Sequence, residues 1–407
     1  MVARKERIVC GLDVGTSKTC MIMARANRNG KLEMVASGYS KSCGLSKGIV
    51  VNPADVVSSI RNAADEVESQ SNIAANCVTA GISGDHIRSH HFHGKVEIQG
   101  KHNEVTEEDM GNAIRAAAIP LSPEIEIIHT IPQEFHINSQ GGIKNPVGLA
   151  GSQLDVNLHV ISCDGAKCQS FVNTANKAQI EVKRVILQSI ASGEAVLMPE
   201  ERELGAVVID IGGGTTDIAV FENDAISFAS VIPVGGAHFT HDLVEGLRIS
   251  REEAERIKIE FGSVLPEQIS PDETVTIQGL GMRGSYEHSR KEICEYLRAR
   301  GAELMELIRD DLVHSGMKGK LIAGAILTGG GSMMRGILEL AEDTLQMPVR
   351  QGLPLGFEGL TKELAHPTYA CAVGLTMLEA KKDSQLDFHN RPRSVPLIER
   401  ILSWFEQ

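Results

Sequence analysis

Aromatic residues are scarce in this chain of 407, at 4%, and the single tryptophan, Trp404, lies close to the end. Long apolar runs are missing: no stretch approaches the roughly 20 residues that a membrane-crossing helix needs. The opening MVARKERIVCGLDVG carries basic residues but no extended apolar segment, so no secretory signal is expected. The eight cysteines include no CxxC pair. Several sit in apolar runs such as IVCGL and VISC, where a thiol behaves as a small core side chain. A reducing, cytosolic compartment is therefore expected. Basic charge is also short: 40 Lys plus Arg stand against 53 Asp plus Glu, a net charge of −13. General nucleic-acid binders displace counterions with a basic face, so no nucleic-acid partner is expected. The length exceeds one ordinary domain and calls for two or more lobes.

What the chain does have is a repeat. RIVCGLDVGTSKTCMIMARA and GAVVIDIGGGTTDIAVFEND share a design. Each has an apolar strand ending in an aspartate (Asp13, Asp210), a turn of Gly, Ser and Thr, and a second apolar strand. Each continues into a third strand, KLEMVASGYS or AISFASVIPVGG, and then a helix, PADVVSSIRNAADEVESQ or GAHFTHDLVEGL. Strands alternating with helices give an α/β fold, and the duplication predicts two similar lobes with a cleft between the turns. Residues 85–163 interrupt the first lobe with a small α+β insertion. In it TEEDMGNAIRAAAI offers Thr106 and Asp109 as a capping box, EIEIIHTIPQEFHI and LDVNLHVISC read as strands, and NSQGGIKNPVGLAG reads as a loop. The polar stretch 381–394 reads as a flexible linker.

The two turns have a physical use. Glycines let the backbone approach a polyphosphate, and successive N–H groups with Ser/Thr hydroxyls bind its oxygens. A carboxylate ending each preceding strand can hold magnesium through its waters. LIAGAILTGGGSMMRGI adds a third glycine-rich stretch, a buried strand, then Gly329 to Ser332, then a helix start, which fits either an adenosine cradle or an ordinary strand-to-helix turn.

Together these stretches resemble the actin, sugar-kinase and heat-shock-70 ATPase superfamily. IVCGLDVGTSKT is similar to its first phosphate motif, VVIDIGGGTTDIAV to its second, and AILTGGGSMMRGI to its adenosine motif. ILQSIASGEAVL and HPTYACAVGLTML resemble the two helices that cross between lobes. In actin a subdomain follows the third strand, whereas here only KSCGLSKGIVVN lies there and the extra subdomain comes after AANCVTAGIS. That displaced insertion, with VTAGISGDHI, HTIPQEF, GIKNPVGLAG and LDVNLHVI, resembles the FtsA family of bacterial cell-division proteins, as do REEAERIKIEFG and the C-terminal segment. The resemblance covers essentially the whole chain. It implies core segments at 1–84 and 164–195 in the first lobe, 196–234 and 311–365 in the second, a small second-lobe subdomain at 235–310, and a returning helix at 366–380.

The resemblance further implies ATP with Mg2+ in the cleft. Asp13 and Asp210 would face the metal, and Gly15, Thr16, Ser17, Lys18, Gly212, Gly213, Gly214 and Thr215 the phosphates. Gly236, Glu255, Lys258, Gly330, Gly331 and Ser332 would lie toward the nucleoside. Lys258 also reads as a solvated helix residue, and Asp217 as either a water or metal positioner or a cap. Related ATPases orient water from the first connecting helix, where Leu187 or Gln188 aligns. A one-residue shift on a helix turns a side chain by about 100°. Weak or absent ATPase activity is therefore expected, with Gln188 as the catalytic candidate and nucleotide acting as a switch. A small-molecule kinase would need an Asp base and a sugar loop, and nothing marks either.

In VPLIERILSWFEQ, residues 395–407, a helical wheel gathers Leu397, Ile398, Ile401, Leu402, Trp404 and Phe405 on one arc. The arc suits self-docking, a partner's groove, or a membrane interface, where Trp is favoured. The resemblance implies the last: attachment to an anionic phospholipid surface, at the cytoplasmic face of the inner membrane and the division septum. It further implies self-association into filaments, recruitment of later division proteins, and binding of the C-terminal peptide of tubulin-like FtsZ by residues 235–310. Arg283, Arg290, Lys291 and Arg298 are candidates to meet that acidic peptide, against the alternative of a charge-laced surface helix. Pilus-assembly relatives share the displaced insertion but are not expected to end in such a helix. GDHIRSHHFHG groups His86, His90, His91 and His93 without a completing Cys or carboxylate, so a solvated strand is expected rather than zinc.

Overall fold

The computed structural model describes residues 7–27, 31–117, 122, 124–281 and 284–381. The remaining linker and the apolar arc from Leu397 to Phe405 lie outside the described residues, as does Arg283. Among the described residues no helix is long and apolar enough to cross a membrane.

The repeat folds as two five-stranded sheets. The first runs Glu181–Leu187, Cys77–Ile82, Arg7–Val14, Lys18–Ala26, Leu32–Lys41. The second runs Ala225–Ile232, Thr216–Glu222, Ala206–Ile211, Gly324–Thr328, Val349–Gln351. In each, a three-strand antiparallel meander continues into parallel strands. Strands covered on both faces need continuous apolar sequence, and AVVIDI is buried at every position.

Two helices join the lobes, Gln188–Val196 and Ala370–Ala380. They cross where Gly374 lies so close to Ala191 that an added Cβ would come 1.7 Å from the Ala191 carbonyl oxygen. Glycine is what permits this approach.

The insertion forms its own sheet, Arg88–Glu97, Gln153–Asp164, Ile125–Ile137, Gln140–Ile143, backed by the helix Glu107–Ala116. Thr106 and Asp109 make the expected reciprocal capping bonds. The stretch read as a loop contains the short strand Gln140–Ile143. The insertion also braces the second lobe. Gln133 Nε2 donates to the Ile226 carbonyl at 2.7 Å, and the Ser89 hydroxyl donates to that of Ala229. Both carbonyls lie on the edge strand Ala225–Ile232. Ile128, Ile131 and Ile161 share one apolar cluster with Ile226, Ala229 and Phe221.

The histidine-rich segment is solvated only in part. His91 and His93 are exposed, but His86 is buried beside Gly84. No group of three or more potential metal ligands occurs among the described residues.

Candidate nucleotide site

The two glycine-rich turns meet at the lobe interface. The first closes with the Gly15 N–H donating to the Lys18 carbonyl at 2.8 Å, the second with the Gly212 N–H donating to that of Thr215 at 2.9 Å. They are packed so tightly that a Cβ on Gly213 would meet Ser17 Oγ at 2.1 Å, and one on Gly214 would meet Thr16 Oγ1 at 2.5 Å. The helix Gly236–Leu247 starts against the second turn, its Gly236 and Ala237 N–H groups bonded to the carbonyls of Gly212 and Gly213.

A cleft of about 920 Å³ opens above the turns. It is lined by Asp13, Gly15, Thr16, Ser17, Lys18 and Gln188 on one side, and by Asp210, Gly212, Gly213 and Gly236 on the other. Glu255, Lys258, Gly330 and Gly331 line it as well. Gly214 and Thr215 face instead a separate cavity of about 40 Å³ behind the turns, shared with Ser83 and Gln188. Ser332 turns inward, its hydroxyl donating to the Gly329 carbonyl at 2.8 Å, so it holds the loop. That loop is a short 3-10 turn, Gly330–Met333, and the helix begins only at Ile337.

Charge is arranged in layers. Asp13, nearly buried, accepts from Lys18 Nζ at 2.9 Å and from Gln188 Nε2 at 3.0 Å. Burial works against the Lys18 charge, but the Asp13 carboxylate outweighs it and holds the ammonium above its ordinary range. Lys18 also lies over the Tyr369 ring, 5.1 Å from its centre. Asp210 accepts from the Ser192 hydroxyl. Burial pushes its carboxyl up to about 6; the Ser192 bond opposes this and the charge of Asp13 adds to it. Asp13 and Asp210 are both buried, and the charge of Asp13 adds to the cost of ionising Asp210. Such a hard-oxygen pair is the kind of donor set that a divalent cation would relieve. The donor set therefore fits magnesium held by Asp13 and Asp210.

Asp217 stands opposite Asp210 in the second hairpin, but in the interior. It accepts from the Thr215 hydroxyl at 3.0 Å, and Thr215 lies 3.1 Å from the Ser83 hydroxyl of the first lobe. Its burial removes it from the cleft wall.

Gln188 opens the first connecting helix. The stretch ILQSIASGEAVL was expected to be helical throughout; instead Ile186 and Leu187 end a buried parallel strand. Parallel pairing with Gly81 and Ile82 captures those two apolar residues. Leu187 is buried away from the cleft, and Gln188 lines it. Lys258 is no solvated residue: its ammonium donates to the Gly236 carbonyl at 3.1 Å, Thr240 Oγ1 at 2.9 Å and Glu255 at 2.8 Å. Tyr39, Lys41, Thr368 and Tyr369 also line the cleft. Sequence reading missed them, because only the strand register brings Lys41 beside Lys18.

In the small second-lobe subdomain, LGMRGSYEHSRKEICEYLRARGAELMELIRDDL reads as one long helix, but the helix begins at Arg290 and runs to His314, since Tyr286–Ser289 pairs as a strand with Thr274–Ile277. Arg290 binds Glu273 at 2.6 Å and the Phe261 carbonyl. Arg298 Nη1 reaches the Val264 carbonyl at 3.4 Å, and Lys291 is half-buried.

Comparison with known proteins accounts for this arrangement. The family described as "Cell division protein FtsA" matches residues 207–374, and the "SHS2 domain inserted in FTSA" matches 84–162. The chain is 36% identical to the cell division protein FtsA of Pseudomonas aeruginosa, with 98% of each chain covered. Among solved structures it is similar to a PilM–PilN type IV pilus biogenesis complex (TM-score 0.65, 18% identity, covering 91% of this chain and 98% of that one). It is also similar to MreB5 of Spiroplasma citri bound to ADP (0.52, 15%, 92% and 95%) and to the MamK double helical filament (0.52, 14%, 91% and 98%). At these identities the structural likeness shows the fold, which is actin-like.

Proposed function

The chain belongs to the FtsA family of cell division proteins, and from that premise we propose that it is an ATP-binding, polymerising tether that fixes the FtsZ ring to the inner face of the cytoplasmic membrane. The observation that carries the nucleotide part is the two-lobed cleft, with paired phosphate turns and the buried carboxylates Asp13 and Asp210. ADP in the MreB5 relative supports the same use of the fold. Magnesium would offset polyphosphate charge there, held by Asp13 and Asp210. The turn N–H groups and Lys18 would bind phosphate oxygens, while Lys258, fixed by Glu255, would stand at the nucleoside end.

Turnover is weak or absent in this reading, because the Gln188 amide is already engaged in donating to Asp13. Gln188→Ala is expected to leave ATP affinity within about threefold and to cut any residual hydrolysis about tenfold or more, read by phosphate release. Equal losses in binding and turnover would assign Gln188 to binding alone.

In this reading the chain keeps the division expected from sequence. The insertion would meet a neighbouring subunit or later division proteins, and residues 235–310 the FtsZ C-terminal peptide. With Arg290 engaged by Glu273, Lys291 and Arg298 are the better candidates there. The segment 395–407 would enter an anionic lipid interface.

Since Trp404 is the only tryptophan, its emission reports the tail directly. With anionic vesicles it should shift to the blue, more strongly with ATP and magnesium, and the response should vanish when 395–407 is deleted. An emission already blue without lipid, and unmoved by it, would mean docking on protein and would remove the membrane part of the proposal.

A further inference from the structure

The cleft holds a cation that the phosphate motifs do not account for. In the hairpin Lys18–Ala26 with Leu32–Lys41, Lys18 stands directly opposite Lys41. Opposed residues on neighbouring strands project from the same face of a sheet, and like charges placed so destabilise the pair. Both lysines line the cleft. Lys18 is compensated by Asp13 at 2.9 Å and by the Tyr369 ring. Lys41 has no acidic partner within ion-pair distance among the described residues.

Its backbone is nevertheless fixed to the first phosphate turn. The next residue, Ser42, donates its N–H to the Ser17 carbonyl at 3.1 Å, and its hydroxyl pairs with that of Thr19 at 2.8 Å. The Lys41 carbonyl accepts from Ser59 Oγ at 3.2 Å. A charged tip on a flexible stem thus rises from a position locked to the turn. Asp13 neutralises one of the two ammonium groups and leaves the other uncompensated.

We propose that Lys41 is a second polyphosphate-binding cation of the cleft, taking anionic oxygens of a nucleoside di- or triphosphate in addition to those that Lys18 meets. This rests on the nucleotide reading of the cleft. Adenosine carries no phosphate and gains nothing from Lys41. The charge is solvent-exposed, so its contribution is modest and falls with added salt.

The test is equilibrium binding of ATP, ADP and adenosine to the full chain, for the parent, Lys41→Met and Lys41→Arg, at low and high salt. Circular dichroism melting confirms that each variant is folded. Lys41→Met should weaken ATP and ADP about three- to tenfold at low salt, less at high salt. Adenosine affinity should stay unchanged and Lys41→Arg should restore most of the loss. ATP binding by Lys41→Met within twofold of the parent would overturn the proposal, as would an equal loss for adenosine. A parent that binds no ATP at all would sink the nucleotide reading itself, a result distinct from either.

Discussion

Replacing Gly374 with alanine is expected to destabilise the protein by about 2–4 kcal/mol, and replacing it with leucine to abolish soluble folded protein. The sign makes this diagnostic. Glycine to alanine inside an exposed helix gains about 1 kcal/mol from propensity alone. Gly374 lies within Ala370–Ala380, so local propensity predicts stabilisation. Packing predicts the reverse: the new Cβ would fall 1.7 Å from the Ala191 carbonyl oxygen and 2.5 Å from its carbon. These are backbone atoms of the partner helix and cannot rotate away, so the helices must separate. Separation is resisted on the far side as well, where a Cβ on Gly11 would already meet Thr376 at 2.6 Å. The two helices carry Gln188 and Cys371 to the cleft floor, so ATP affinity should fall along with stability. Urea unfolding of Gly374→Ala decides it. A midpoint at or above the parent's would mean that the crossing is looser than the structure shows.

What could be read before folding was local chemistry and repetition. Thr106 and Asp109 satisfy each other's backbone N–H groups within one turn, so nothing distant is needed to place that helix start. The two Asp-plus-glycine turns could be paired because duplication writes the same solution twice. Residues whose meaning depends on a partner far along the chain could not be placed. Ser83 meets Thr215 across 132 positions, and Gln133 meets Ile226 across 93. Arg290 reads as a solvated helix cation until Glu273 is folded beside it. The start of the first connecting helix was obscured because Ile186 and Leu187 suit a buried helix and a buried parallel strand equally well. Only pairing with Cys77–Ile82 separates the two.

The duplication also shows where the lobes differ. In the first hairpin Asp13 is opposed by Cys20, and in the second Asp210 is opposed by Asp217. The second hairpin therefore carries one more buried acid than the first. Burial is the main cause that pushes the Asp217 carboxyl up to about 8; the Ser83 and Thr215 bonds oppose the shift, and the charge of Asp210 adds to it.

That acid gives the second large effect, a stability that declines with pH. An unfolded aspartate loses its proton near pH 4, whereas Asp217 in the folded chain keeps it to about 8. Between those values the folded state binds more protons than the unfolded state, so unfolding free energy falls as pH rises and levels off above about 8. Asp210, at about 6, adds a decline of the same sign over the lower part of the window. His159 acts oppositely, since burial pushes it down to about 3 and makes the fold more stable as pH rises between that value and the ordinary histidine range. The Asp217 contribution is therefore isolated as a difference between proteins. Asp217→Asn keeps the side chain's shape and removes the titration. In nucleotide-free protein it should come closest to the parent at pH 4 and below, and exceed it progressively toward pH 8.5. One pKa unit corresponds to about 1.4 kcal/mol. The gap should reach about 2–5 kcal/mol, smaller if water enters beside the Asp217 oxygen that has no partner. Denaturant unfolding of both proteins across this range provides the check. Parallel curves would show that Asp217 ionises as readily in the fold as in water, and that its interior site is wetter than its burial indicates.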